Sequence, residues 1–305
     1  MITEAGHLME PKAVTPSVLP GCGNIHQMQG VEHYENFPVA SWLCPPRLRA
    51  PITAIYRFAR TADDIADEGD APAQARLQAL NAYRTELLAS LEGVTSGTRN
   101  WPEVFTPLAR QVIDHKLPTQ PLMDLLDAFE QDVRYTAENR RYNDLPELMD
   151  YCSHSANPVG RLLLHLYGVN DARSLQESDA ICSALQLINF WQDLGQDLAR
   201  QRYYLPLDAM QRHGVEESSL APDRENQNAQ AMVRELTDHA RGLMLAGAPL
   251  AARLPGRIGW ELRLVVQGGL RILDKIEAMQ WRTWQRRPRL HATDVAVMLW
   301  RTVRM

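Results

Sequence analysis

Hydrophobic residues recur at intervals of three and four along nearly the whole chain beyond residue 30, and alternating runs of strand type are scarce. This spacing places apolar side chains on one face of a helix. Prolines fall between the periodic segments, where they start or stop helices. The pattern therefore predicts helices near 33–43, 48–68, 72–91, 102–115, 119–138, 145–168, 174–200, 226–252, 256–285 and 291–303.

The chain is predicted to consist of an N-terminal arm and one helical domain. Residues 1–30 are rich in Pro, Gly and Met without periodicity, which predicts a loosely ordered N-terminal arm. No long Ser/Gly linker and no internal repeat divides the remainder. We therefore expect residues 31–305 to form a single all-α domain, a helical bundle with its site in a central cavity between helices.

Composition narrows the class of protein. A formal net charge of −5 gives no basic surface for nucleic acid, so no nucleic-acid partner is expected. The four cysteines show no paired metal spacing, which favours a reducing cytoplasm over a disulfide framework. The N-terminus lacks the basic start and apolar block of a signal peptide, and no apolar run reaches the ~18 residues of a membrane span. We expect a cytoplasmic protein, with transient peripheral contact to a membrane left open.

Two aspartate pairs carry the candidate chemistry. Asp63 and Asp67 lie in Asp-Asp-Ile-Ala-Asp, and Asp193 and Asp197 lie in Asp-Leu-Gly-Gln-Asp, each within an apolar helical stretch. Residues four apart on a helix lie on the same face, so each pair directs two carboxylates to one point. Two such faces across a cavity would hold several Mg²⁺ ions, which favour a few carboxylates together with phosphate oxygens. The pattern predicts an enzyme that ionises a diphosphate ester in an apolar helical pocket.

Neighbouring polar residues extend each pair. Tyr56 and Arg60 share the face of the first pair, and Asn189 continues the second pair at four-residue spacing, with Gln186 one turn earlier. Arg202 follows closely and could donate two hydrogen bonds to a diphosphate. The alternative for the first motif is a solvated face with Arg–Asp pairs, and for the second it is the exposed half of an amphipathic helix.

A third segment, Tyr151–Gly160, interrupts a helical stretch with small residues, Pro158 and Gly160. Such an interruption forms a kink or a close backbone approach beside a cavity. His154 is a candidate base, with an ordinary satisfied histidine as the alternative.

These blocks resemble the phytoene/squalene synthase family of head-to-head prenyl synthases. The resemblance extends from about residue 30 to nearly the end of the chain, through YRFARTADDIADE (56–68), YCSHSANPVGRLL (151–163) and QLINFWQDLGQDLARQRYYLP (186–206). Within the family, ENFPVASWL (35–43) and NFWQD (189–193) are most similar to the bacterial hydroxysqualene synthases of hopanoid biosynthesis.

The resemblance implies an isoprenoid-synthase fold and assigns roles by matching position. The implied metal ligands are Asp63, Asp67, Asn189, Asp193 and Asp197. The implied catalytic residues are Tyr56, Arg60, Tyr151 and Arg202. The implied substrate contacts are Phe37, Arg60, Val159, Gln186, Asn189 and Arg202.

The implied reaction is Mg²⁺-dependent ionisation of presqualene diphosphate, a C30 ester, with water capturing the cation to give hydroxysqualene. No NADPH is expected. Coupling to a presqualene diphosphate synthase and to a squalene-forming oxidoreductase is implied as well. Gln192 departs from the arginine common in relatives, which weakens one diphosphate contact. The rivals are condensation of two farnesyl diphosphates, a catalytically silent assembly factor of the same fold, and a metal-dependent helical hydrolase.

Overall fold

Proline, glycine and capping side chains set the ends of the helices. The structure, a computed structural model, describes residues 44–93 and 100–305, which form helices and connecting turns without a strand. The all-α prediction is therefore confirmed. Twelve α-helices lie in these ranges: α1 (Pro46–Asp67), α2 (Ala73–Leu91), α3 (Pro102–His115), α4 (Gln120–Ala137), α5 (Leu145–Ser155), α6 (Asn157–Tyr167), α7 (Ala172–Ala199), α8 (Leu207–His213), α9 (Gln227–Gly247), α10 (Pro249–Arg253), α11 (Gly256–Ala278) and α12 (Ala292–Val303).

Local chemistry explains these boundaries. Pro46 occupies the first position of α1, where its missing N–H costs nothing. The side chain of Asp171 caps α7 by accepting a hydrogen bond from the Ser174 N–H at 2.9 Å. In α9 the Asn226 side chain does the same for Ala229. Helix starts of this kind are readable from sequence because the cap lies within one turn.

Three predicted helices differ from the structure. The stretch 145–168 is divided at Ala156, because Pro158 lies in the first turn of a new helix, α6. The stretch 226–252 is divided before Pro249 in the same way. The stretch 256–285 ends at Ala278, since Gln280 and Trp281 adopt left-handed backbone angles. The short helix α8 was not predicted. The helix predicted at 33–43 and the arm at 1–30 lie outside the described residues.

Two hydrophobic cores organise the bundle. One is built by α1–α4, where the rings of Phe58, Tyr83 and Phe105 pack together and the Tyr83 hydroxyl donates to the Phe58 carbonyl at 3.0 Å. The other surrounds α7, which packs against α5, α6, α9 and α11 and buries Trp191. The two acidic helices, α1 and α7, therefore belong to different cores.

Gly195, inside the second acidic motif, permits a close approach. A β-carbon there would lie 2.6 Å from the Trp284 carbonyl oxygen, so the segment after α11 packs directly on α7. We expect Gly195→Ala to lower the free energy of unfolding by about 1–3 kcal/mol, because backbone must move to admit the methyl group.

The matched control is Gly242→Ala in α9, where a β-carbon meets nothing within 4 Å. That change is expected to be stabilising by about 0.5–1 kcal/mol, since alanine favours a helix interior over glycine. Urea unfolding of both variants makes the comparison. Equal stability of the two variants would show that the contact with Trp284 does not constrain α7.

Candidate active site

The first acidic motif lies on the last two turns of α1, half-buried and held by one arginine. Arg60 contacts Asp63 at 3.0 Å, Asp64 at 2.6 Å and Glu68 at 2.7 Å. The Arg–Asp pairs of the solvated-face alternative are thus present. Asp67 is different, because its partner is Arg202, which follows α7.

The second motif forms a polar stripe along α7, a helix on which several others pack. Gln186, Asn189, Asp193 and Asp197 are each partly accessible. The residues between them, including Leu187, Phe190, Trp191 and Leu194, are buried. Helices α5, α6, α9 and α11 pack on α7, and the accessible stripe reaches α4 electrostatically, since the charges of Asp197 and Asp132 repel each other.

Ion pairs connect the two walls. The Arg202–Asp67 pair joins the end of α1 to the segment after α7, so the structure brings the two motifs to one site. On the second wall, Asp193 accepts hydrogen bonds from Arg287, a residue of the segment between α11 and α12. Each acidic motif is therefore paired with an arginine from another segment of the chain: Arg202 for the first motif and Arg287 for the second.

Asp132, on α4, lies between these walls. It accepts a hydrogen bond from the Tyr151 hydroxyl at 2.6 Å and another from Tyr204. It is surrounded by protein yet retains some accessible surface, as expected of a side chain that lines a cavity. Burial raises the pKa of the Asp132 carboxyl to about 7, and the negative charge of Asp63 adds to the effect.

An aromatic cluster surrounds the same carboxylate. The Phe190 and Tyr204 rings stack with centroids 3.8 Å apart, and the Tyr151 centroid lies 6.2 Å from Phe190. Tyr142 packs against both Tyr151 and Tyr204. Burial raises the pKa values of Tyr151 and Tyr204 well above the usual value, so both hydroxyls stay protonated. A recess lined by Asp132, Arg202 and Tyr204 opens beside the cluster.

Negative charge is in excess at the second motif. Burial raises the pKa of Asp197 to about 8, and repulsion from Asp193 contributes, while Arg200 and Arg287 act in the opposite direction. A raised pKa of this origin means that the ionised carboxylate lacks sufficient positive charge around it. A bound cation would supply that charge.

The donor set fits Mg²⁺ delivered with a diphosphate. All the candidate ligands, on α1 and on α7, are oxygen donors, which is the ligand type that Mg²⁺ prefers. Within residues 44–93 and 100–305, no three His, Cys, Asp or Glu side chains gather in a geometry for a metal ion. Mg²⁺ does not need such a cage, because one or two carboxylates together with phosphate oxygens and water suffice.

The other predicted residues are placed as follows. Tyr56 is partly buried and packs on the core of α1–α4, and Val159, on the first turn of α6, packs on the same core. Gly160 approaches α7 closely, because a β-carbon there would meet Ser178 at 2.4 Å. The His154 ring contacts the backbone oxygen of Asp150 on its own helix at 3.0 Å, so it is satisfied locally. Phe37 lies outside the described residues.

Three residues of the site were missed by the sequence reasoning: Asp132, Tyr204 and Arg287. Arg287 is 94 residues from Asp193 along the chain, so no local spacing indicates their contact. Gln192, the departure from relatives, is buried and donates to the Pro288 carbonyl at 2.9 Å. This bond holds the segment that brings Arg287 to Asp193. A guanidinium is thus supplied beside the second motif from elsewhere in the fold.

A helical bundle with two carboxylate stripes joined by an ion pair, flanking arginines and an aromatic interior has the features of an enzyme of the prenyl-synthase type. The family model for squalene/phytoene synthase matches residues 31–294. The chain belongs to the squalene/phytoene synthase family.

The similarity to individual proteins covers most of the chain. The hydroxysqualene synthase of Sinorhizobium fredii is 34% identical over 267 residues, 87% of this chain and 86% of that protein. The hydroxysqualene synthase of Rhodopseudomonas palustris is 36% identical over 245 residues, 80% of each. The crystal structure of squalene synthase HpnC from Alicyclobacillus acidocaldarius has a TM-score of 0.72 and 32% identity, covering 82% of this chain and 90% of that one.

These comparisons confirm two predictions. The fold is the all-α isoprenoid-synthase bundle, and the resemblance to hydroxysqualene synthases within the family holds over most of the chain. The protein is therefore an enzyme of the prenyltransferase-type family to which these synthases belong. In the part of the chain that the structure describes, no helix is long and apolar enough to cross a bilayer.

Proposed function

We propose that the protein converts presqualene diphosphate and water into hydroxysqualene and diphosphate. The observation that carries this proposal is the position of Asp132, a deep carboxylate joined to Tyr151 and Tyr204 and situated between two acidic walls. The walls suit departure of a diphosphate. The deep carboxylate suits acceptance of a proton from water once the diphosphate has gone.

The first step is cleavage of the C–O bond, in which the electron pair leaves with the diphosphate. Arg60, Arg202 and Arg287 exchange contacts with carboxylates for contacts with diphosphate oxygens, since a guanidinium donates in a fork that fits either group. Mg²⁺ held by Asp63 and Asp67 on α1, and by Asn189, Asp193 and Asp197 on α7, would stabilise the negative charge that develops on the leaving group.

The resulting carbocation needs walls that stabilise it without attacking it. Rings of Phe190, Tyr151 and Tyr204 supply such walls, because the face of an aromatic ring attracts positive charge. The two tyrosine hydroxyls are engaged with Asp132 and remain protonated. They are therefore poor nucleophiles, and the cation survives long enough to rearrange.

Water then ends the reaction. A water oxygen forms a bond to the carbocation while its proton passes to the Tyr151 oxygen, and the Tyr151 proton passes to the Asp132 carboxylate. The carboxylate later returns the proton to solvent through the neighbouring recess. No electron donor is consumed, because the new bond forms to a water oxygen and not to a hydride, so the product is the alcohol. His154 is not used in this step, because it bonds to its own helix.

The substrate test is product analysis by mass spectrometry with Mg²⁺ and without a reductant. Presqualene diphosphate and farnesyl diphosphate are supplied in separate tubes. We expect hydroxysqualene from the C30 ester and no C30 product from farnesyl diphosphate. Presqualene diphosphate formed from farnesyl diphosphate would assign the condensing reaction instead. Absence of turnover of both would favour the silent assembly factor.

Condensation of two farnesyl diphosphates is the rival reaction that this test addresses, because the site retains a guanidinium beside the second motif. Gln192 stands immediately before the second motif, where relatives commonly carry arginine. Arg287 nevertheless brings a guanidinium to the Asp193 carboxylate. If the protein converts the C30 ester, an enzyme that joins two C15 prenyl diphosphates must supply that ester. An enzyme that reductively removes the hydroxyl group would consume the alcohol.

Asp132→Asn tests the proton acceptor. The amide oxygen can still accept from Tyr151 and Tyr204, but it cannot take up a proton at neutral pH. We expect the rate of alcohol formation to fall by about 10²-fold, the size of a lost general base, with elimination products increasing. The control is Asp150→Asn, an exposed aspartate one residue before Tyr151, with no expected effect.

The pH dependence of the free energy of unfolding distinguishes a proton-accepting role of Asp132 from a purely structural one. Because burial raises the pKa of Asp132 from 3.8 to about 7, the wild-type fold loses stability as the pH rises through that interval. The free energy of unfolding of Asp132→Asn, relative to wild type, should therefore increase from pH 4 to pH 7. A variant that is less stable at pH 8 and makes alcohol normally would contradict the proposed role.

A further inference from the structure

The C-terminal helix α12 presents its apolar side to solvent and its polar side to the protein. Asp294 and Thr302 are buried, while Val295, Leu299, Trp300 and Val303 are 50%, 48%, 56% and 70% exposed. The described residues contain nine exposed large apolar side chains, and four of them lie on this one helix. Exposed apolar residues are ordinarily scattered, so a cluster of this kind marks a contact surface.

The orientation of α12 is held firmly. Asp294 forms ion pairs with Arg271 and Lys275 of α11, both at 2.7 Å, and Arg301 pairs with Asp274 at 2.7 Å. These partners strongly lower the pKa of Asp294 against the effect of its burial. Rotating the helix to hide its apolar side would break these ion pairs and bury charge without a partner, which is costly. The apolar stripe is therefore a stable feature of the folded protein.

Charge indicates what the stripe contacts. Residues 286–305 contain five arginines and one aspartate, a net charge of +4 with histidine neutral, in a chain whose total is −5. Arg286, Arg289 and Arg304 are exposed in this segment. The Arg304 guanidinium lies over the Trp300 ring, 3.8 Å from its centroid. An apolar stripe that ends in tryptophan and arginine and is preceded by arginines complements an anionic lipid surface.

We propose that α12 docks the protein on the surface of an anionic lipid bilayer. Val295, Leu299 and Val303 recur at four-residue spacing, and Trp300 lies beside them, so the helix would lie in the membrane plane with this stripe among the acyl chains. Arg286, Arg289 and Arg304 would face the headgroups. A second copy of the chain is a poorer occupant, because four half-exposed side chains fall short of the ~800 Å² per partner of a stable protein interface.

The segment that leads into α12 is the one that contacts the active site. Arg287, which contacts Asp193, precedes the first residue of α12 by only a short turn, and Pro288 is bonded to Gln192. The proposal concerns where the protein sits and does not depend on which prenyl diphosphate it converts.

The experiment is sedimentation with vesicles of phosphatidylcholine alone and of phosphatidylcholine with about 30% phosphatidylglycerol, a strongly anionic surface. We expect the wild type to bind the anionic vesicles and to be released as NaCl is raised, because salt screens the arginines. The triple variant Leu299→Gln, Trp300→Gln, Val303→Gln should bind the anionic vesicles at least about tenfold more weakly than the wild type, since its apolar contact is removed.

The matched control carries Ile113→Gln and Leu245→Gln, two exposed apolar residues on α3 and α9. It should bind as the wild type does. All three proteins should turn over detergent-dispersed substrate equally, which separates this test from the test of the reaction.

A second readout uses acyl chains that carry bromine, which quench nearby tryptophan fluorescence. Wild-type emission should fall on binding, and Trp300→Phe should lose most of that quenching while still binding. Equal binding of wild type and the triple variant would overturn the proposal, as would absence of binding to anionic vesicles. A lipid-free dimer of the wild type that the triple variant abolishes would assign the stripe to a second copy instead.

Discussion

Replacing Asp193 with asparagine is expected to lower Mg²⁺-dependent turnover by about 10³-fold or more, since a cation at a leaving diphosphate supplies several kcal/mol and each 1.36 kcal/mol is tenfold. The amide keeps the shape of the side chain but removes the charge that borders the cavity. It also removes the Asp193 charge that, after burial, contributes to the raised pKa of Asp197. The dependence on Mg²⁺ concentration should shift upward, because one anionic ligand is lost.

The control for this change is Asp238→Asn on α9, an exposed aspartate whose nearest partner is Arg234 at 3.8 Å. It should leave turnover unchanged. Steady-state rates over a range of Mg²⁺ concentrations, with urea unfolding alongside, make the measurement. If Asp193→Asn were folded and retained normal turnover, the second acidic wall would not bind the cation that assists departure of the diphosphate.

The second large effect is expected at Arg287, a residue that only the folded structure connects to the site. Arg287→Gln should lower turnover by about 10²-fold, because a charged hydrogen-bond donor to the developing leaving group is removed. Arg287→Lys should recover part of the loss, since it retains charge but not the fork.

Arg110→Gln on α3 provides the comparison for Arg287. Arg110 is highly exposed and has Asp114 as its nearest acidic partner, at 3.5 Å. Turnover of that variant should equal that of the wild type. The measurement is the rate of diphosphate release under saturating Mg²⁺. Identical rates for Arg287→Gln and Arg110→Gln would mean that Arg287 only holds Asp193 in place in the free enzyme.

Short-range patterns account for what the sequence predicted well. The spacing of Asn189, Asp193 and Asp197 is a property of one helix, so their common face in the structure follows from helical geometry alone. The same reasoning placed Arg60 beside Asp63. Helix boundaries were less accurate where a single proline decided them, as at Pro158 and Pro249, because helical periodicity continues on both sides of the break.

Long-range pairing accounts for what the sequence did not predict. Asp132 lies in an ordinary amphipathic stretch, and its importance arises from Tyr151 and Tyr204, which reach it from other segments. Arg287 follows a turn whose course depends on Gln192 and on the absence of a side chain at Gly195. Tertiary contacts of this kind leave no local spacing to detect.

Helix α12, whose apolar side faces solvent, illustrates a further limit of prediction from sequence. Its apolar residues were correctly predicted to be helical, but periodicity alone indicates only that they share a face. The ion pairs of Asp294 with Arg271 and Lys275 determine which face is turned inward. The side that faces solvent could therefore be recognised only from the fold.

The most direct test of the proposed reaction is conversion of presqualene diphosphate in water enriched in ¹⁸O, with Mg²⁺ and no reductant, followed by mass spectrometry of the C30 product. Capture of the carbocation by water predicts an alcohol that carries one ¹⁸O atom in proportion to the enrichment. Asp132→Asn should yield less of it. An unlabelled alcohol, or a C30 hydrocarbon as the principal product of the wild type, would contradict water capture.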